Sequence, residues 1–444
     1  MRFSAIAALI LLMLFIHLLP VSAGENDIAG YWLEKTKELY DSKLYEASLR
    51  FINKSLDVDP QNASAWSSKG DILGQLGQYN ESLEAYDRAV QIDPRNTDAL
   101  FGRGNILYFL GRFTKSLQSY DAALTIDPSF TWAWNNRGVA LSDLGRYEEA
   151  ILSYDRAIDM DPQYSGAWNN KGLVNYQMRR YQDAISSFDK VIEINPDYVT
   201  AWANKGQALD KLGRYDEAIE CYDEAIWINP KEAVAWYGKG MALYNMGYVE
   251  ESILFYNKTI SLNPSIAEVW CNEGLSFFAL GKLDEALLCY DKAIEINPRL
   301  AMAWQLKGQA LQKLARYNES AQSFEEATRI DPQNAEVWMS QGISLHKAGR
   351  KEDALFALNR SVEVNPLYAE AWSYRGVVLN ILHRYDEAVK SFEEAIDLNP
   401  EDPVPWYGKG YALQGLGRNT EASKALSEAS FLDAYQARPL SQGA

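Results

Sequence analysis

Eleven prolines stand at a single interval along the chain: Pro60, Pro94, Pro128, Pro162, Pro196, Pro230, Pro264, Pro298, Pro332, Pro366 and Pro400, each 34 residues after the one before. A fixed period of this length marks a module that hides its apolar side only against copies of itself. Such a chain grows in one dimension instead of closing round a single core. Other residues keep the same beat. Twenty-eight positions before each proline stand Trp32, Trp66, Leu100, Trp134, Trp168, Trp202, Trp236, Trp270, Trp304, Trp338 and Trp372, and Trp406 opens a twelfth unit whose proline position is Ala434. The stretches AWNNKG, AWANKG, AWYGKG and AWQLKG, ending at Gly172, Gly206, Gly240 and Gly308, are the plainest part of the pattern. Twelve units of 34 cover residues 29–436, which is 408 of 444.

Within a unit the apolar spacing predicts two helices. In the sixth, Trp202, Gly206 and Leu209 fall at i, i+4 and i+7, and Ala218, Tyr222, Ala225 and Ile226 at i, i+4, i+7 and i+8. Both are helical stripes. Between them Gly213 occupies a helix end that wants left-handed backbone. Glycine holds that place in eight units, with Lys43, Arg179, Ala315 and His383 as exceptions. Pro230 then drives the residue before it out of helical geometry and closes the second helix. Four residues after each Trp position stands Gly in eleven units, Thr36 being the departure, and sixteen after it Ala or Ser in all twelve. Glycine inside a helix costs up to about 1 kcal/mol against alanine, so its recurrence predicts close approach. The expected form is backbone against backbone, with the Trp and the residue twenty positions on as bulky partners. That residue is aromatic in nine units: Tyr86, Tyr120, Tyr154, Phe188, Tyr222, Tyr256, Tyr290, Phe324 and Phe392.

A Trp, then Gly, then Ala, then Tyr or Phe, then Pro on a 34-residue period resembles the tetratricopeptide repeat, over about nine tenths of the chain. The resemblance implies an all-α fold, a right-handed superhelical α-solenoid of antiparallel helix pairs, with first helices lining a concave groove and second helices outside. The units fall at 29–62, 63–96, 97–130, 131–164, 165–198, 199–232, 233–266, 267–300, 301–334, 335–368, 369–402 and 403–436, between a short linker at 24–28 and a tail at 437–444. It implies a scaffold that holds peptides or other proteins, with no catalysis and no cofactor.

If first helices line the groove, the side chains one, two and five residues after each Trp, and two before it, face into it. In the middle of the chain these are Phe101, Asn105, Trp132, Asn135, Asn136, Asn169, Asn170, Asn204, Tyr237 and Asn272. Amides both donate and accept, so a row of them suits the backbone of an extended peptide. Aromatics supply the anchoring area of binding hot spots. The alternative is that the asparagines only keep the surface soluble. Trp132 lies off the repeat register and is the strongest contact candidate. The two-carboxylate clamp of some relatives needs Lys one residue after the Trp, and no unit has one. Three residues after the Trp a basic residue stands in ten units, including Lys69, Arg103, Arg137, Lys171, Lys205 and Lys239. Their stems are expected to fill a packing site while the charge reaches a nearby Asp or Glu.

The first 26 residues, MRFSAIAALILLMLFIHLLPVSAGEN, read differently: Arg2, an apolar run to Leu19, Pro20, then small residues at Val21, Ser22 and Ala23. This is the pattern of an export signal, residues 1–23, cleaved after Ala23. Residues 3–24, which carry no formal charge with His17 neutral, are otherwise a membrane anchor. Either way the repeats are expected outside the cytoplasm, in the cell envelope, and the compact signal with its gap-free array has a prokaryotic cast. Six N-x-Ser/Thr sequons, at Asn53, Asn62, Asn80, Asn257, Asn318 and Asn359, are candidate glycosylation sites.

A formal charge of −17 excludes a chain built to track phosphate backbones, so no nucleic-acid partner is expected. Cys221 and Cys289 are two periods apart, about 20 Å for helices stacked at about 10 Å, beyond the roughly 7 Å a disulfide spans. Cys271 and Cys289 fall on different faces of one unit, so no bridge is expected. Catalysis would need clustered titratable groups, yet beyond residue 23 the only histidines are His346 and His383, and no metal-spaced cluster or phosphate loop occurs. Two readings remain. One is a peptide or protein adaptor. The other is a structural array joined end to end, which a polar last helix and a worn first unit, both cap-like, make the less favoured.

Overall fold

The computed structural model of the protein describes residues 25–436. The export or anchor segment and the tail at 437–444 lie outside the described residues. Among the described residues there are 24 helices and no strand, in alternating lengths that repeat with the sequence period. They divide into two compact units, one ending at Gly213 and the other beginning at Arg214, within the sixth repeat. The first unit holds α1 (Glu25–Asp41), α2 (Tyr45–Val58), α3 (Ala63–Gln75), α4 (Tyr79–Ile92), α5 (Thr97–Phe109), α6 (Phe113–Ile126), α7 (Thr131–Asp143), α8 (Tyr147–Met160), α9 (Ser165–Gln177), α10 (Tyr181–Ile194) and α11 (Val199–Lys211). The second runs from α12 (Tyr215–Ile228) through α13 (Ala233–Asn245), α14 (Val249–Leu262), α15 (Ala267–Ala279) and α16 (Leu283–Ile296) to α24 (Asn419–Gln436).

Several helix ends have a local cause. Asn62, Asn96 and Asn334 cap first helices by accepting a hydrogen bond from the backbone NH three residues on. Every position between paired helices takes positive φ, whether glycine as at Gly77 and Gly145 or one of the four exceptions: Lys43 at 58°, Arg179 at 60°, Ala315 at 56° and His383 at 58°. Asn229, ahead of Pro230, is extended and ends α12.

The recurrent glycine is not a place where two backbones meet, as its spacing suggests, but a seat for a ring. A Cβ added at Gly138 would stand 2.5 Å from the ring of Tyr154, and one at Gly172 2.5 Å from Phe188. Both rings come from the second helix of the same pair and are buried. The Ala or Ser sixteen residues after the Trp position is buried throughout, and where it is serine it can serve the same joint: Ser82 Oγ donates to Gly70 O at 2.6 Å, Ser116 to Gly104 O at 2.7 Å and Ser320 to Gly308 O at 2.8 Å. These contacts close each hairpin.

The tryptophan does something else. It does not face the glycine; its indole Nε1 donates to the carbonyl of the proline six residues earlier, as in Trp66 to Pro60 O at 3.0 Å, Trp168 to Pro162 O at 3.1 Å, Trp270 to Pro264 O at 3.0 Å and Trp406 to Pro400 O at 3.2 Å. Each indole thus clasps the loop that enters its own repeat. The basic residue three positions on lies over that indole, Lys171 at 5.3 Å from the Trp168 ring and Arg375 at 5.5 Å from Trp372. Its charge reaches back sixteen residues to the preceding hairpin: Arg137 to Asp121 at 2.7 Å, Lys171 to Asp155 at 2.6 Å, Lys205 to Asp189 at 2.7 Å, Lys307 to Asp291 at 2.6 Å and Lys409 to Glu393 at 2.9 Å. Seven of the ten cations in the row are therefore paired between repeats, while Lys35 meets Glu38 in its own helix and Arg375 donates to Asn359.

In each unit the helices stack serially, and first helices also contact the first helices of neighbouring pairs, as α3 with α5 and α5 with α7, whereas second helices have no comparable contact with one another. First helices thus lie on the inner side of the curve. Cys221, Cys271 and Cys289 are buried thiols, none of them in a disulfide. The seat beneath Phe188 sets a test: Gly172→Leu should lower unfolding stability by roughly 1–3 kcal/mol through overpacking, read as a lower denaturation midpoint with helical circular dichroism retained. An unchanged midpoint would contradict the ring-on-glycine account.

Candidate functional site

The inner face of the first unit carries three neighbouring clefts. A central one of about 340 Å³ lies where α3, α5 and α7 meet, lined by Ser64, Ser67, Ser68 and Asp71 of α3, Asp98, Phe101, Gly102 and Asn105 of α5, and Asn96, Phe130 and Trp132. A larger one of about 640 Å³ lies between α1 and α3 and shares Ser68 and Asp71 with it. A smaller one of about 240 Å³, between α5 and α7, shares Asn105 and adds Tyr108, Phe109, Tyr120, Asn136 and Val139.

The central cleft opens where the repeat pattern lapses. Leu100 stands there in place of the clasping Trp, and Gly102, two residues on, has no side chain to fill the space because Tyr86 occupies it. Phe101 packs against Phe130 at 4.8 Å and Tyr120 at 5.9 Å between ring centroids. Trp132 is 61 % exposed. Facing these rings are two carboxylates. Asp71 opens to the cleft but is crowded by the helices around it, which pushes its carboxyl above the ordinary range; Asp98 pushes the same way, and the hydroxyl of Tyr86, donating to Asp71 Oδ1 at 2.5 Å, pulls it back.

The asparagines are bound to one another. Asn105 Oδ1 accepts from Tyr120 Oη at 2.7 Å and from Asn136 Nδ2 at 2.9 Å; Asn136 Oδ1 accepts from Asn135 Nδ2 at 3.0 Å; Asn135 Oδ1 accepts from Asn170 Nδ2 at 3.0 Å. This amide ladder ties three consecutive first helices together. Asn135 is only 6 % exposed, so it does not line a groove. The reason is general: the residue one after the Trp packs between neighbouring first helices, buried at Ser67, Asn135, Ala203, Cys271, Met339 and Ser373 and exposed in no repeat. Asn169, Asn170 and Asn204 are half-buried farther along the first unit, where Asn169 Oδ1 is enclosed without a hydrogen-bond donor. In the second unit Asn272 Nδ2 donates to Tyr237 Oη at 2.6 Å, the same step from one repeat to the next.

The offsets that place Trp132 and Asn105 on the inner face also select Ser64, Ser68, Asp71 and Asp98. Attention to amides and rings passed over these acids. The sequons fare differently. Ser55, Ser82, Thr259, Ser320 and Ser361, the hydroxyl residues of five of them, are buried, and only Asn62-Ala63-Ser64 presents an exposed hydroxyl residue at a helix start. Among the described residues no group of three or more His, Cys, Asp or Glu is placed to hold a metal, and no helix is long and apolar enough to cross a membrane.

Family models described as tetratricopeptide repeat match residues 135–199, 199–232, 233–266, 267–300, 305–363 and 369–402, and one described as TPR repeat matches 70–111 and 104–145. Similar solved structures include a tetratricopeptide repeat protein from Parabacteroides merdae, 21% identical over 56% of this chain and 98% of that one with a TM-score of 0.47. The MamA protein is 25% identical over 38% and 93%, at 0.36. YrrB, titled a TPR protein with an unusual peptide-binding site, is 24% identical over 42% and 96%, at 0.36. No match is found among curated proteins.

In the second unit the basic rung fails at Glu273, which is 4 % exposed, with Asn257 rather than an acid sixteen residues back. Its Oε2 accepts from Cys289 Sγ at 3.6 Å. Burial pushes the Glu273 carboxyl above its ordinary value of 4.5, against the lowering effect of Cys289, and pushes the Cys271 thiol up to about 12. A carboxyl raised on folding favours the folded state only while protonated, so that contribution is intact below the ordinary value and is lost as pH rises through the raised one. Glu273→Gln should therefore unfold later than the parent at pH 8, with the two curves converging towards pH 4, by thermal melts across that range. A constant offset would refute the buried-acid assignment.

Proposed function

The chain belongs to the tetratricopeptide repeat family and is a scaffold for protein–protein interaction, and from that premise we propose that its working surface is the inner face of the first unit, where it holds an extended segment of a protein partner without catalysing any reaction. The observation that carries this reading is the set of three adjoining clefts on α1, α3, α5 and α7 with Trp132 standing open above the central one. A row of clefts sharing lining residues suits a chain that runs on from one to the next, and an exposed indole is the side chain that most often anchors such contacts. The amide ladder beneath it fixes the positions of Asn105 and Asn136, so little ordering is left to be done on binding.

The N-terminal segment supports an extracytoplasmic place of work, in the cell envelope, with the repeats either released or tethered through residues 3–24. Deleting residues 3–23 should confine the chain to the cytoplasmic fraction; recovery of that deletion from the envelope would refute export through this segment. Trp132→Ala combined with Asn136→Ala should weaken binding to immobilised octapeptide arrays about tenfold or more, as loss of a hot spot does, with helical circular dichroism unchanged. Undiminished binding would place the site elsewhere. Light scattering that shows growth with concentration into open chains would favour end-to-end assembly instead.

A further inference from the structure

We propose that the central cleft between α3, α5 and α7 is a receptor for one arginine side chain of the bound segment, its guanidinium meeting Asp71 and Asp98 and lying against the Trp132 indole. The proposal rests on the reading of the inner face as a peptide groove and names what that groove selects.

Acids outnumber bases 60 to 43 in this chain, so an acid without a cation is ordinary here. What sets this pair apart is its company. The cleft is walled by Phe101, Phe130 and Trp132, and no Lys or Arg lines it. Neither carboxylate enters an ion pair among the described residues, whereas seven inter-repeat rungs pair a basic residue with an acid. Two carboxylates among aromatic faces are the chemistry that takes a cation with an apolar body.

The acid is also held ready. Tyr86 crosses from α4 beneath α5 to donate to Asp71 Oδ1, and it can do so because residue 102 is glycine: a Cβ there would stand 2.6 Å from the tyrosine oxygen. Two residues from two repeats, Tyr86 and Gly102, are thus committed to the orientation of one carboxylate, with its second oxygen left for a ligand. A cation beside Asp71 favours its charged form and so offsets the raising effect of burial.

Arginine fits better than lysine. Its planar guanidinium stacks on an aromatic face while donating to two carboxylates, and it is less strongly hydrated than an ammonium. A side chain fits better than a free small molecule, because the cleft opens at both ends into its neighbours, through Ser68 and Asp71 on one side and Asn105 on the other.

The test is a positional-scanning array of acetylated, amidated octapeptides, followed by solution titration of the best binder and of its citrulline variant, which keeps the shape of arginine and removes the charge. Arginine should be enriched at one position, and citrulline there should weaken binding about tenfold or more. In a chain carrying Asp71→Asn and Asp98→Asn, with unchanged circular dichroism, the two peptides should bind within about twofold of each other. Enrichment of an acidic or apolar residue, with binding still lost in Trp132→Ala, would overturn the arginine receptor and leave the groove standing. Retention of the citrulline penalty in the double variant would overturn the role of these two acids. N-acetylarginine amide binding as tightly as the octapeptide would overturn the protein-segment assignment, and an array with no bound peptide would overturn both readings.

Discussion

The contact on which the rest depends is an aromatic ring laid on a bare Cα. In each hairpin where Tyr154 covers Gly138 or Phe188 covers Gly172, the first helix gives up a side chain so that the second can approach. Such a hairpin has no interior of its own beyond that seat, and must lean on the next one to bury its flanks. The lean is then fixed by groups that belong to two repeats at once. The indole clasps the incoming loop, the cation lies over the indole, and the acid of the preceding hairpin takes the charge. Single ion pairs of this half-exposed kind contribute little, about 0–1 kcal/mol each. Repeated at the same place, they set the spacing between hairpins more than they stabilise any one of them.

Because ring, indole and cation use fixed positions, the positions left over are fixed too. On a first helix these lie two before the Trp and two and five after it, and the packing leaves them a wide choice except where a ring of the preceding hairpin requires glycine, as at Gly102, Gly238 and Gly408. Variation is therefore free at the inner face, as it is at exposed second-helix positions such as Leu152, Glu220 and Phe356, and narrow at the ring, indole and glycine positions. Ser68, Asp71, Asp98, Asn105 and Trp132 all occupy such positions. The inter-repeat pairing also consumes basic residues in the act of joining hairpins, so the face that remains is rich in acids, serines and amides.

Much of this was legible beforehand because the period is strict. The turn positions at Lys43, Arg179, Ala315 and His383 read as left-handed from their place alone, and their φ angles agree. The cationic row was legible as structural for a similar reason, since a residue that recurs in ten repeats answers to the repeat and not to a ligand. What periodicity did not reveal is which of two large residues meets the glycine. Trp and Tyr are both bulky and both in register, and only the path of the loop brings the indole nitrogen to the proline carbonyl. The burial of Asn135 escaped for a related reason: a helical wheel gives a direction, whereas burial depends on how far the neighbouring first helix leans in. Asp71 and Asp98 were within reach of the same offsets that gave Trp132, but an acid in an acidic chain draws no notice until the rings beside it are seen.

The lapse at the third repeat shows how such an array acquires a site. Leu100 forgoes the clasp, and Arg103, without an indole beneath it, lies 3.4 Å from Asp87 where its counterparts lie at 2.5–2.9 Å. The joint is looser there by one hydrogen bond and one stacking contact. The amide ladder from Asn105 through Asn136 and Asn135 to Asn170, together with the Tyr86 bridge to Asp71, restores rigidity from the inner side. Those groups are polar and partly open, whereas the clasp they offset is a packed loop. Shifting the fastening from the loop to the inner face thus leaves a firm wall that carries hydrogen-bonding groups and rings, and a firm polar wall is what selective binding requires.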